Sequence, residues 1–185
     1  MRTFILIIMS LFCLNIQSKA QQKKDNAEAK ILVAYFSCTG NTESVAKSIS
    51  KATGGTLYRI TPKKAYSSAD LDWRNKNSRS SIEMNDNNSR PELGGETINM
   101  NDYDTVFIGY PIWWDLCPRP VNTFIEKYNL SGKTVIPFAT SGGSSIDNSV
   151  KQLNKLYPDV KWKEGRLFHR GSKQAEEWAK QIITK

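Results

Sequence analysis

Histidine and cysteine are scarce in this chain of 185 residues: His169 stands alone, and Cys13, Cys38 and Cys117 are far apart. No Cys/His group has the spacing of a zinc or haem site, so the sequence offers no support for a metal. So few cysteines cannot build a disulfide framework. There is no G-x-G-x-x-G, and Gly132-Lys133-Thr134 only mimics the end of a Walker loop, because position 127, where glycine is needed, is Lys127. It also leads into an apolar strand-like run instead of a helix. Lys and Arg outnumber Asp and Glu by 26 to 18, yet they are scattered and form no basic stripe with interleaved aromatics, which argues against a nucleic-acid partner.

The longest apolar run, residues 4–14, is too short to span a bilayer as a stable helix. It follows Arg2 and precedes Ser18-Lys19-Ala20, the pattern of a signal peptide cleaved after Ala20, which implies export, in a bacterium to the periplasm. Two alternatives stay open: an uncleaved anchor, or a lipoprotein built on Cys13, for which Leu11 and Phe12 are a poor match. Residues 21–29 are polar and without periodicity, a flexible leader. Cleavage would remove Arg2 and Lys19 and take the net charge from +8 to +6. Residues 30–185 suffice for one compact domain and not for two.

Within that domain, residues 31–36, 105–109 and 134–139 are continuous apolar runs of strand length, as expected of parallel strands buried on both faces. Residues 56–60 and 165–168 add two strands. Helical periodicity at 42–52, 120–128, 145–157 and 173–183 alternates with them, placing Ile146, Val150, Leu153 and Leu156 inward in the third of these helices. The alternation predicts an α/β fold, a doubly wound three-layer sandwich around a five-stranded parallel sheet of order 2-1-3-4-5. Residues 61–104 read least clearly, as one helix near 70–84 and then a loop, either folded over the ligand edge or simply solvated.

Ligands of such sheets bind beyond the carboxyl ends of the strands, where the winding reverses. That rule selects three segments. Ser37-Cys38-Thr39-Gly40-Asn41-Thr42 offers hydroxyl and amide donors, a glycine and a helix start, so neutral donors and unpaired helical N–H groups can hold a phosphate. The plainer alternative is ordinary helix capping. Tyr110-Pro111-Ile112-Trp113-Trp114 is an aromatic cluster suited to stacking a planar heterocycle, or else to covering the core or meeting another protein. Thr140-Ser141-Gly142-Gly143 pairs hydroxyls with glycines that permit close backbone approach to a ligand, or that serve a turn of positive φ. His169 reads as a surface or edge residue, and Cys38 and Cys117 as two unpaired residues near the ligand edge, with pairing or redox coupling as the alternative.

These residues, from Phe36-Ser37-Cys38-Thr39-Gly40-Asn41-Thr42 through Gly109-Tyr110-Pro111-Ile112-Trp113-Trp114 to Phe138-Ala139-Thr140-Ser141-Gly142-Gly143-Ser144, resemble those of the flavodoxin family, from Lys30 to the C-terminus. The resemblance implies FMN as cofactor. Its phosphate would sit on Ser37, Thr39, Asn41 and Thr42 with the Gly40 backbone, and Trp113 and Trp114 would lie near the isoalloxazine. It further implies a redox partner protein or a small acceptor, with quinone or NAD(P)H as options, and a monomer or weak homodimer. No side-chain acid or base is needed for electron transfer, so no catalytic residue is assigned. A non-enzymatic protein holding a flavin or another phosphorylated heterocycle is the rival reading. The basic charge and the export signal depart from acidic cytoplasmic electron carriers and leave the biological role open.

Overall fold

The computed structural model describes residues 30–169 and 173–184, so the signal peptide and leader expected over residues 1–29 lie outside the described residues. In chain order the elements are β1 (Ile31–Tyr35), α1 (Asn41–Thr53), β2 (Thr56–Arg59), β3 (Thr61–Pro62), α2 (Arg79–Asn85), β4 (Leu93–Gly94), β5 (Thr105–Pro111), α3 (Arg119–Tyr128), β6 (Thr134–Thr140), α4 (Asp147–Leu156), β7 (Lys161–Trp162), β8 (Arg166–Phe168) and α5 (Lys173–Ile183). The main sheet is wholly parallel and runs β2-β1-β5-β6, with β7 and β8 both on the outer edge of β6. This is the expected 2-1-3-4-5 order with its fifth position split in two. β3 and β4 form a separate antiparallel pair.

The split has a local cause. Pro137 lies mid-way along β6 and has no N–H to give a ladder. The edge pairs β6 as Val135↔Trp162 before the proline and as Phe138↔Arg166 after it, so three residues of the edge chain oppose two of β6. Gly165 lies in that bulge, where a Cβ would stand 3.0 Å from both Ile146 Cδ1 and Pro137 Cγ. β7, only two residues long, carries no periodicity in the sequence.

The strand runs are continuously apolar because both faces are covered. One face, with Leu32, Ala34, Val106 and Ile108, packs against Val121, Phe124 and Ile125 of α3 and Leu153 of α4. The other, with Val33, Tyr35, Phe107 and Phe138, packs against Val45, Ala46 and Ile49 of α1 and Ala175, Trp178 and Ala179 of α5. Phe138 lies across Gly109 so closely that a Cβ there would fall 2.1 Å from its ring. Each strand must therefore bury both rows of side chains, which removes the alternation of a half-exposed sheet.

Two expectations are corrected. The helix over 70–84 is only α2, beginning after Ser78, whose side chain accepts from the Ser81 N–H. Ahead of it, Asp70 accepts from the Ser67 N–H at 2.8 Å, Asp72 from the Arg74 N–H at 3.2 Å and Asn75 from the Asn77 N–H at 2.9 Å. These side chains satisfy the backbone locally and displace the helix. Leu156, assigned inward, is exposed at the last residue of α4, while Ile146 and Leu153 are buried.

Candidate functional site

The winding reverses between β1 and β5, and the loops beyond β1, β5 and β6 stand together at that end of the sheet. The first loop turns into α1 through Gly40, at φ 85°, whose N–H donates to Ser37 Oγ at 3.1 Å. Gly40 is itself the N-cap and no side chain caps the helix, so the capping alternative for these hydroxyls is not what the fold uses. Ser44 N–H is bonded to the Gly40 carbonyl at 2.9 Å. By helix geometry the N–H groups of Asn41, Thr42 and Glu43 then have no carbonyl behind them. Thr39, Gly40 and Asn41 are exposed around this turn, and Ser37 and Thr42 are buried beneath it.

Thr42 and Thr140 connect the first loop to the third. Their hydroxyl oxygens are 2.8 Å apart and both residues are buried. Beyond Thr140, Ser141 Oγ accepts from the Gly143 and Ser144 N–H groups at 3.1 and 2.9 Å, tying the loop into a tight turn. A Cβ on Gly142 or Gly143 would meet nothing within 4 Å, and neither glycine has positive φ. The turn therefore does not require glycine, and the space beside these residues is what a Cβ would intrude upon. His169, distant in sequence, has its Nδ1 3.2 Å from the Ser141 carbonyl and so borders this loop.

The second loop divides its aromatics. Tyr110, placed with the ring cluster by sequence, is fully buried and accepts at its hydroxyl from Ser149 Oγ at 2.9 Å, making it a core residue. Trp113 and Leu116 exchange both backbone hydrogen bonds, at 3.0 and 2.9 Å, around Trp114 at φ 45° and Asp115 at φ 63°. This is a two-residue hairpin with a type I′ turn, a geometry that prefers Asn and Gly. A tryptophan there carries strain on the order of 1–3 kcal/mol. It holds Trp114 out, 43% exposed, with Pro111 and Ile112 half-buried behind it. Trp113 turns inward, edge-on to Phe36 and to Tyr66 with ring centroids 5.5 Å away in each case.

Tyr66 comes from residues 61–104, and it packs this segment against Phe36 and Trp113 at the carboxyl edge of the sheet. Its hydroxyl donates to Glu83 Oε2, Arg79 Nε donates to Glu83 Oε1 at 2.6 Å, and the Arg79 guanidinium lies 4.1 Å from the Tyr66 ring centroid. Burial, and then the Glu83 carboxylate, push the Tyr66 phenol well above its ordinary value. Only the i,i+4 spacing of Arg79 and Glu83 was visible beforehand. Arg59 is a second addition: it donates to the Ser37 carbonyl at 3.0 Å and lies 3.6 Å from Glu43, so a cation stands behind a loop otherwise built of neutral donors.

Among the described residues, Cys38 and Cys117 carry free thiols. Burial raises the Cys38 thiol to about 11, opposed in part by Arg59 and Arg79, and raises Cys117 to about 12. A raised pKa disfavours the thiolate, the form in which a cysteine is nucleophilic. A cleft of about 740 Å³ lies at the opposite end of the sheet, where Ile31, Thr105 and Thr134 begin their strands. Strand amino ends are not where doubly wound sheets bind ligands.

The chain matches the family profile described as flavodoxin over residues 30–182. A crystal structure of a candidate flavoprotein from Bacteroides eggerthii is 57% identical, with a TM-score of 0.80 over 85% of this chain and 99% of that one. A second candidate flavoprotein, from Bacteroides uniformis, is 53% identical with a TM-score of 0.79 over the same shares. A flavoprotein from Lactobacillus acidophilus, solved in complex with FMN, shares the fold at 24% identity and a TM-score of 0.63, over 75% of this chain and 93% of that one. No curated protein matches the chain.

Proposed function

Because the chain belongs to the flavodoxin family, we propose that it binds FMN at the carboxyl edge of its sheet and works as a redox protein, passing electrons to a partner protein or a small acceptor. The supporting observation is the first loop. Its helix is capped by a glycine backbone, so the Thr39 and Asn41 side chains and the first-turn N–H groups are not consumed in starting α1, and Ser37 Oγ, which accepts from the Gly40 N–H, keeps its own proton to donate. Such a cradle suits a phosphate monoester, whose oxygens take hydrogen bonds and sit at the positive end of the helix dipole. The open space over Gly142 and Gly143 and the exposed Trp114 suit a flat ring beside it. The Lactobacillus relative's FMN is in keeping with this chemistry.

Bound FMN supplies the electron chemistry. The chain's own residues do the rest. Ser37, Thr39, Asn41 and Thr42 orient the phosphate end, Trp113 and Trp114 limit water over the ring, and the Thr42–Thr140 hydroxyl pair keeps the phosphate and ring loops in register. Arg59 offsets part of the phosphate charge from behind Ser37. Residues 1–20 direct export, by the same proposal.

Purified protein tests the reading. Chromatography of heat-released cofactor should yield FMN, and oxidation of NAD(P)H should be followed with and without added quinone. Protein that is colourless as isolated and fails to take up added FMN would sink the proposal.

A further inference from the structure

Arg119 is a buried cation that no bonded carboxylate neutralises. It is 4% exposed at the first residue of α3, and its hydrogen bonds go to neutral oxygens. Nε donates to the Glu83 carbonyl at 3.1 Å, and Nη2 donates to the Met84 carbonyl and to Asn87 Oδ1, each at 2.9 Å. Those contacts tie it to the last turn of α2, where a helix end attracts positive charge. They use three of the five N–H groups of a guanidinium. The two on Nη1 have no partner among the described residues, and no side-chain nitrogen or oxygen there is both buried and unpartnered, so Nη1 is open to solvent. Burial pushes the guanidinium below its ordinary value, and Asp86 acts on it only through space.

The opening that Arg119 lines is a cleft of about 230 Å³ between α3 and α4. None of the residues assigned to FMN lines it. Its polar lining is rich in donors, with Lys155 and the Asn87 and Gln152 amides beside Arg119, and it contains no Asp or Glu. Its apolar lining is hydrocarbon, from Leu116, Leu153 and Leu156. Leu156, inward by its period yet 51% exposed, is thus the apolar lip of a cavity. The volume falls below the range of drug-sized sites, which excludes a nucleotide and leaves room for a small molecule.

We propose that this cleft binds a small aliphatic carboxylate, its charged end on Arg119 Nη1 with Lys155 beside it, and its chain on Leu153 and Leu156. The ligand supplies the opposite charge that the buried guanidinium lacks, through charge-assisted hydrogen bonds. A free phosphate would meet the cations and leave the leucines wet. The assignment does not depend on the FMN reading.

Calorimetric titration of hexanoate into the full chain, with and without added FMN, tests this. Saturable binding of equal affinity is expected in both preparations. Acetate, which lacks the chain, and 1-hexanol, which lacks the charge, should each bind at least about tenfold more weakly. Arg119→Gln should weaken hexanoate about ten- to a hundredfold. Arg119 also holds α2, so if Arg119→Gln does not fold, Lys155→Glu decides: this exposed side chain, with its charge reversed, should weaken hexanoate about tenfold and leave FMN affinity unchanged. No saturable binding of hexanoate would overturn the proposal, as would an equal affinity for 1-hexanol or inorganic phosphate, or an unchanged affinity in whichever variant decides. Competition between hexanoate and FMN would also overturn it, because the cleft would then belong to the flavin site. A chain that takes up no FMN yet binds hexanoate through Arg119 would locate the failure in the flavin reading and uphold the carboxylate site.

Discussion

Thr42→Val separates a structural hydroxyl from a ligand-binding one. Valine keeps the shape of threonine and removes the hydroxyl, so the packing beneath α1 stays in place while Thr140 loses its partner 2.8 Å away. Both residues are buried, and an orphaned buried hydroxyl costs about 1–3 kcal/mol. The ligand-free protein should lose that much stability in urea titration. A hydroxyl has one proton to give: if Thr42 donates it to the FMN phosphate, it accepts from Thr140, and the two act as a chain. Removing a hydrogen bond to a charged group costs about 1.5–3 kcal/mol, so FMN should bind roughly ten- to a hundredfold more weakly. Riboflavin, lacking the phosphate, should be affected much less. The double variant Thr42→Val/Thr140→Val replaces both partners and should recover most of the stability but none of the phosphate contact. If FMN and riboflavin lose equally, or if the double variant regains FMN affinity, Thr42 acts only as a latch between loops and the phosphate assignment is wrong.

The remaining expectations concern other parts of the molecule. Gly142→Ala meets no atom within 4 Å and no positive φ, so ligand-free stability should hold or rise by up to about 1 kcal/mol while FMN affinity falls; unchanged affinity would place the ligand elsewhere. Trp114→Asn relieves a strained turn and should stabilise the protein by about 1 kcal/mol, and should also brighten bound FMN. Trp113→Ala opens the Phe36/Tyr66 cluster and should destabilise it in the same urea assay. Cys117 is raised from 9.0 to about 12 by burial. The unfolded chain therefore loses that proton first, and its contribution, complete below pH 9, should decline by about 1.4 kcal/mol per pH unit between 9 and 12. Cys117→Ala should flatten the pH dependence of denaturation in that window, and identical slopes would refute it. Exported protein should begin at Gln21 by N-terminal sequencing; a start at Met1 or a lipid on Cys13 would overturn the signal-peptide reading.

The fold was legible because its signals are local. A strand buried on both faces writes itself as an uninterrupted apolar run, and β1, β5 and β6 do so; a helix writes one apolar stripe, as α1, α3 and α5 do. The same local logic misled where short polar side chains compete for the backbone. Asp70, Asp72 and Asn75 satisfy backbone N–H groups in turns, and the expected helix shrinks to α2.

The position of the candidate site followed from topology, since the loops after β1, β5 and β6 reach the switch point. Its membership did not. Tyr110 and Trp114 are both aromatics of one short stretch, yet one fills the core against Ser149 and the other faces water, because Tyr110 lies in β5 while Trp114 stands in the turn of the hairpin closed by Trp113 and Leu116. Thr42 finds Thr140 98 residues away, Trp113 finds Tyr66, and Arg59 finds the back of Ser37. Hydrophobic period and loop chemistry repeat within a few residues and therefore survive in sequence. Which two distant side chains share a cavity depends on how β-strand order and helix packing bring separate loops together, and that is decided only when the whole sheet is wound.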